Sequence, residues 1–319
     1  GYGADRSTVY FDMDNDGFAE RTGWVTGSDG LLALDRNSNG KIDNQSELFG
    51  NSATYANGFL ALKALDSNAD NKITSADAQF ANLRVWVDAD SDGQTDSGEL
   101  KTLAALGITQ INLAATALTN TFLNENKVSD TSTFVMGGVT RTVSDVWFRN
   151  DSMDTRYMGD VSLDVRTLFL PTLKGFGNLK DLHVAMSQDA TLLALVQNFA
   201  AGFETKDFVN GAALDNEIKG ILFRWAGVDG FSASDTTFGY NAQINGFLDK
   251  LTGQKSGWLE GMSAGQTVSS AVISTQTIVF NNLFNNLKTM LVSQTAAGLR
   301  FLMGCITIWL LASLRELRF

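Results

Sequence analysis

Four stretches of the first hundred residues place aspartate or asparagine at alternate positions and follow them with a turn-forming residue. They are Asp12, Asp14 and Asp16 with Gly17; Asp35, Asn37 and Asn39 with Gly40; Asp66, Asn68 and Asp70 with Asn71; and Asp88, Asp90 and Asp92 with Gly93. Such rows cannot enter an apolar core, because an ionised carboxylate leaves water only when it is paired or bound to a metal. Short oxygen-bearing side chains that bond their own backbone, next to a residue tolerant of positive φ, make sharp turns instead. Oxygens crowded onto one turn suit a hard divalent cation, since calcium takes roughly six to eight of them at about 2.3–2.6 Å.

The last loop fills the whole twelve-residue EF-hand pattern, in which positions 1, 3, 5, 7, 9 and 12 supply the ligands. Asp88, Asp90, Asp92, the carbonyl of Gln94, Asp96 and Glu99 stand at those positions. The leucines at 100, 103 and 106 after it predict a helix stripe capped by Gly107. Asp66, Asn68, Asp70, the carbonyl of Lys72 and a short closing Asp77 repeat the plan. The apolar spacing of residues 57–65 ahead of it predicts helix-loop-helix. Asp35, Asn37, Asn39, the carbonyl of Lys41 and Asp43 fit less well, because the closing Glu47 falls at position 13. In the first loop Asp12, Asp14, Asp16 and the carbonyl of Phe18 are followed by Glu20 at position 9. Alternation on both sides of it predicts a strand-loop-strand turn rather than a helix pair.

The charge balance agrees. Residues 1–100 carry 17 acidic and 7 basic side chains, nearly all of the chain's net charge of −11. A field of that sign repels phosphate backbones and argues against nucleic acid as a partner. Clustered carboxylates also repel one another, so this third is expected to be poorly ordered without a cation. The single cysteine, Cys305, excludes an internal disulfide, and the single histidine, His183, excludes a His-based zinc site.

Beyond the loops, Ile108 to Leu113 alternates as a strand, and Gly137 and Gly138 sit between two alternating runs as a hairpin turn. Polar residues 149–160 read as a connector. Apolar steps of three and four then predict helices over 189–199, 214–225, 242–251 and about 264–292, with Phe199, Phe223, Trp225 and Phe247 as core. The expected class is α+β, in three parts. Residues 1–118 form a multi-loop calcium region with short strands, 119–160 a β-hairpin and connector, and 161–319 a mainly helical domain, the course of 295–319 left open. Phe301 to Leu314 is fourteen largely apolar residues between Arg300 and Arg315. That is short of the roughly 20 a membrane span needs, so it reads first as a buried or chain-end helix, with an artefact of where the reading frame ends and a membrane anchor as the alternatives. The chain opens at Gly1 with no signal-like segment and reads as a piece of something longer.

Several of these segments together resemble a known group. Residues 11–18, 30–40, 46–50, 83–86 and 166–173, within a likeness spanning about 7–295, are similar to the non-repeat regions of large RTX-type calcium-binding exoproteins, including the iron-regulated FrpA/FrpC-like proteins. The resemblance implies a secreted bacterial protein, exported unfolded by a type I system and folded by external calcium beside other domains of a longer parent chain. Two departures stand out. No Gly-Gly-x-Gly-x-Asp repeat occurs, and the Asp-Pro bond cleaved in FrpC-like self-processing is missing, because Pro171 follows Leu170. No catalytic set is assigned, and a calcium-binding segment is favoured over an enzyme. The alternatives are a calcium-supported hydrolase or processing module with a site in 150–260, drawing on Asp160, Asp164 or His183, and a calcium sensor.

Overall fold

Each acidic turn hangs from a short strand, and the strands assemble into three small antiparallel sheets. The computed structural model describes residues 7–206, 211–234, 238–259, 262–263 and 265–316, with the side chains of 258 and 299–316 left out. The chain divides into two units, Gly1–Met158 and Gly159–Phe319, and its class is α+β.

In the first unit, β1 (Tyr10–Phe11), β2 (Phe18–Thr22) and β11 (Asn150–Tyr157) form one sheet in the order β1-β2-β11. A second orders β3 (Leu31–Ala33), β5 (Arg84–Trp86) and β6 (Leu100–Thr102) as β3-β5-β6. The third runs β10-β9-β7-β4 through Val139–Trp147, Asn126–Met136, Ile108–Asn112 and Lys72–Thr74, and β8 (Thr116–Leu123) also pairs with β9. Two cores lie beneath these sheets. Val9, Phe11, Trp24, Ala33, Ile42 and Trp86 form one. Leu62, Ile73, Leu83, Leu103, Ile108, Ile111 and Leu113 form the other.

The strand-loop-strand reading of the first turn holds, with Phe11 opposite Glu20 across β1 and β2. So does the hairpin, where Met136 faces Val139 and Gly137 and Gly138 take φ of 58° and 78°, the double positive φ of a type I′ turn. Three readings are corrected. The helix over 100–106 is strand β6, because β5 takes its backbone hydrogen bonds through the pairs Arg84 with Thr102 and Trp86 with Leu100. Only one helical turn follows, closed at Gly107 with φ 68°. The helix expected after Asp77 shrinks to a single 3-10 turn, Phe80–Asn82. The chain enters that loop from helix α1 (Gly58–Lys63) and is already in strand β4 at Lys72, since fully buried Ile73 pairs with Ile111. The polar connector at 149–160 is largely β11. Its acids earn a strand position through Arg21 on β2, which contacts Asp154 at 2.9 Å and Asp151 at 3.4 Å, and Tyr157 packs on Phe18.

The second unit is helical: α2 (Leu182–Gln188), α3 (Ala190–Ala201), α4 (Ala212–Trp225), α5 (Ala242–Thr252) and α6 (Ser270–Glu316). Asp189 caps α3 by accepting the Thr191 and Leu192 N–H groups, and Asn241 caps α5. Phe199, Trp225, Phe247 and Phe280 are buried in its core, and half-buried Phe223 packs against it. Gly177 has φ 55°, and a Cβ there would meet the Lys250 carbonyl at 2.5 Å. The 301–314 stretch lies along the backbone of α6, and its side chains fall outside the described residues. Among the described residues no helix is long and apolar enough to cross a membrane.

Candidate metal centres

The four turns share one backbone plan. The first acid of each accepts the N–H groups of positions 5 and 6. Asp88 does so from Asp92 and Gly93, Asp66 from Asp70 and Asn71, Asp35 from Asn39 and Gly40, and Asp12 from Asp16 and Gly17, all at 2.9–3.2 Å. The side-chain oxygen at position 5 then accepts from position 7, through Asp92, Asp70, Asn39 and Asp16. Position 4 is left-handed in all four, at Asn15, Ser38, Ala69 and Ser91 with φ of 57–61°, and position 6 is left-handed again. Non-glycine residues bear that strain only where the surroundings determine it.

The closing acid is equally regular. Glu99 accepts from Ala89 and Asp96, and Asp77 from Ser67 and Thr74, which are positions 2 and 9 of their loops. Glu47 makes the same two bonds, to Arg36 and Asp43, although it stands at position 13. The extra residue is absorbed between positions 9 and 13. In the first loop Glu20 accepts the N–H of Met13, again position 2, from within strand β2. All four closing acids are buried.

Three acid groups bring their oxygens within 4.8 Å of one another: Asp12 with Asp14 and Glu20, Asp88 with Asp90 and Glu99, and Asp90 with Asp92 and Asp96. The structure thus assembles the acids of the first and last loops. Among the described residues it makes no such trio from the acids of 35–47 or 66–77. There Asn37, Asn39 and Asn68 replace carboxylates, and two amides donate to Asp43 instead, Asn39 Nδ2 at 2.6 Å and Asn37 Nδ2 at 3.3 Å. The donors are all oxygen, from carboxylates, amides and backbone. That chemistry fits a hard cation and excludes a soft one.

Electrostatics separates the closing acid of the first loop from those of the third and fourth. Burial, then the charge of Asp14, pushes Glu20 up to about 7. Burial, then Asp16 and Asp12, raises Asp14 to about 6. Burial also works to raise Glu99 and Asp77, but the N–H donors aimed at them outweigh it and hold both below ordinary carboxylates. Sequence reading missed two donors at the last loop. Trp24 Nε1 donates to Asp88 Oδ2 at 2.6 Å, and Trp86 Nε1 to Glu99 Oε2 at 3.3 Å. Trp24 is 64 residues from Asp88, so no local spacing signals it.

Gly93 has the tightest turn. Its φ is 78°, and a Cβ would meet Val9 Cγ1 at 2.5 Å and the Tyr10 carbonyl at 3.0 Å, whereas Gly40 and Gly17 open onto free space. Gly93→Ala is therefore expected to destabilise the first unit by about 2–4 kcal/mol, and Gly40→Ala by about 1 kcal/mol, the cost of the left-handed backbone alone. Thermal melts of the two variants check the difference.

Residues 2–149 match the SPM domain family. That SPM-matching region contains all four loops and stops just before β11, which completes the first sheet. The chain is also similar to the iron-regulated protein FrpA of Neisseria meningitidis serogroup C, at 36% identity over 226 residues, 69% of this chain. The chain spans 20% of that relative's length. The groups weighed for catalysis have local partners: Asp164 pairs with Arg166, Asp160 accepts from the Ser162 N–H, and His183 Nε2 lies 2.9 Å from the Leu170 carbonyl.

Proposed function

We propose that this chain is a calcium-binding segment of a secreted RTX-like protein, and that calcium folds and stabilises its first unit. The observation carrying this reading is the single hydrogen-bond plan repeated in four oxygen-lined turns, with buried closing acids. Asp88, Asp90, Asp92, the Gln94 carbonyl, Asp96 and Glu99 hold one ion. Asp12, Asp14, Asp16, the Phe18 carbonyl and Glu20 hold another. Asp66, Asn68, Asp70, the Lys72 carbonyl and Asp77 form a weaker site, as do Asp35, Asn37, Asn39, the Lys41 carbonyl, Asp43 and Glu47, because affinity tracks ligand charge. Each ion binds the native turn better than the unfolded chain, so stability rises as RT ln(1 + [L]/Kd) per site. Millimolar external calcium would complete the fold, and the low calcium inside a cell would leave the chain competent for type I export as part of a longer parent.

The test is circular dichroism of the purified chain during a calcium titration from chelator, with magnesium as control. The reading expects a cooperative gain of β structure with calcium that magnesium does not reproduce. A spectrum complete in chelator and unmoved by calcium would refute it.

The raised acids fix a pH dependence. Glu20 at about 7 and Asp14 at about 6 bind protons more tightly in the metal-free fold than unfolded carboxylates do. That contribution to metal-free stability is full below about pH 4, where unfolded carboxylates are also protonated, and is lost as pH rises to between 6 and 7. Calcium needs both groups ionised, so its affinity for the first loop rises over the same window. Going from pH 8 to 5.5 is expected to weaken that loop on the order of 100-fold, from the two protons that must be displaced. The 66–77 loop, closed by Asp77 with its lowered pKa, should weaken far less. Site-resolved calcium titrations at the two pH values, read at the Gly17 and Asn71 amides, check this.

A further inference from the structure

The first and closing acids of the fourth loop take their indole bonds from one aromatic cluster. Trp24 and Trp86 are fully buried and meet edge to face with centroids 5.5 Å apart. Phe11 touches both, at 5.2 and 5.7 Å. Phe11 is also the residue before Asp12, and Trp86 stands two before Asp88. The first and fourth loops therefore share a floor. Gly93 is seated against Val9 and Tyr10 at the entry to the first loop. The second loop is tied to both: its buried Ile42 belongs to the same core and donates its N–H to Thr95 Oγ1 at 2.9 Å, and the Gln45 N–H donates to the Asp12 carbonyl at 2.9 Å. The third loop is built on the other core. Ile73 packs there, and the Leu113 N–H donates to the Asn71 carbonyl at 3.1 Å.

We propose that Trp24 and Trp86 are positioning residues that join the loops 12–20, 35–47 and 88–99 into one cooperative calcium-loading unit, while 66–77 loads by itself. This rests on the calcium reading above. An indole N–H on one oxygen of a ligand carboxylate fixes its plane and leaves lone pairs for the ion, the usual work of groups behind a metal ligand. Because the two indoles pack on each other and on Phe11, an ion that orders Asp88 and Glu99 also orders the floor beneath Asp12. The next ion then meets a preformed turn, and the coupling is reciprocal.

The experiment is a calcium titration of the full chain followed by amide NMR, with Gly17, Gly40, Gly93 and Asn71 as reporters of the four loops. In the unsubstituted protein Gly17, Gly40 and Gly93 should share one midpoint and Asn71 should have its own. Trp24→Phe keeps an aromatic ring and removes the N–H. It should raise the Gly93 midpoint about tenfold, the loss of one hydrogen bond to a charged group, and carry Gly17 and Gly40 with it. Asn71 should stay within twofold. Asp14→Asn, an exposed change that cannot collapse the core, should likewise move Gly40 and Gly93 together with Gly17. Independent midpoints in the unsubstituted protein, or an Asp14→Asn effect confined to Gly17, would overturn the coupling and leave calcium binding intact. A Gly93 midpoint unmoved by Trp24→Phe would overturn the role of the indole. No calcium-dependent shift at any reporter would refute the calcium reading itself.

Discussion

Melting the protein with and without calcium is expected to move one transition by tens of degrees and leave the other nearly in place. One site at 100 times its dissociation constant adds about 2.7 kcal/mol, so four occupied turns add about 11 kcal/mol. That equals the whole stability of an ordinary domain, roughly 5–15 kcal/mol. At about 2–4 °C per kcal/mol for a unit of this size, the transition of residues 7–158 should fall by about 20–40 °C in chelator, or vanish. The repulsion within Asp12, Asp14 and Glu20 and within Asp88, Asp90 and Glu99 acts in the same direction once the ion is removed. The helical unit draws its stability from Phe199, Ile218, Leu222, Phe247 and Phe280. None of the acid trios lies in it, so its transition should shift by only a few degrees. Differential scanning calorimetry in calcium and in chelator separates the two.

Asp88→Ala should be the most damaging single change in the loops. The Asp88 carboxylate is fully buried and accepts from Trp24 Nε1, the Gly93 N–H and the Asp92 N–H. Truncation deletes a proposed calcium ligand and leaves buried donors unpaired, each costing about 1–3 kcal/mol. The expected loss is about 3–5 kcal/mol of stability and at least about 100-fold in calcium affinity at that loop. Asp96→Ala removes an exposed oxygen of the same loop that anchors no core group. It should cost about tenfold in affinity and under about 1 kcal/mol in chelator. Calcium titrations and chelator melts of both variants measure the contrast.

The loops could be read directly because their chemistry is local. Alternate oxygens and a glycine declare a turn wherever they occur, and Asp88 to Glu99 needed nothing from the rest of the chain. What closes each turn was less legible. Glu47 at position 13 does the work of position 12, and Glu20 does it from inside β2, because the backbone N–H of position 2 selects the carboxylate that reaches it. The loops' exits misled for a different reason. Leucines at 100, 103 and 106 carry a helical period, but strand β5 claims the backbone of 100–102, and pairing overrides a short apolar pattern. Strand β11 was hidden because Asp151 and Asp154 look like connector residues until Arg21 is set opposite them. The indole donors were hidden more deeply, since only the fold brings Trp24 to Asp88. The helical half was clearer, because long amphipathic periods with Asp189 and Asn241 at their starts specify helices on their own.

The most direct test of the central claim is calcium binding itself, measured by isothermal titration of calcium into chelator-treated, dialysed protein at neutral pH, beside an identical magnesium titration. The account predicts saturable calcium binding at more than one site per chain, with Asp88→Ala removing the fourth-loop site and the rest of its cooperative set weakened with it. Magnesium should bind far more weakly, since these turns offer more oxygens and a looser cage than its octahedral shell accepts. Heats no larger than dilution for both ions, or equal binding of both, would contradict it.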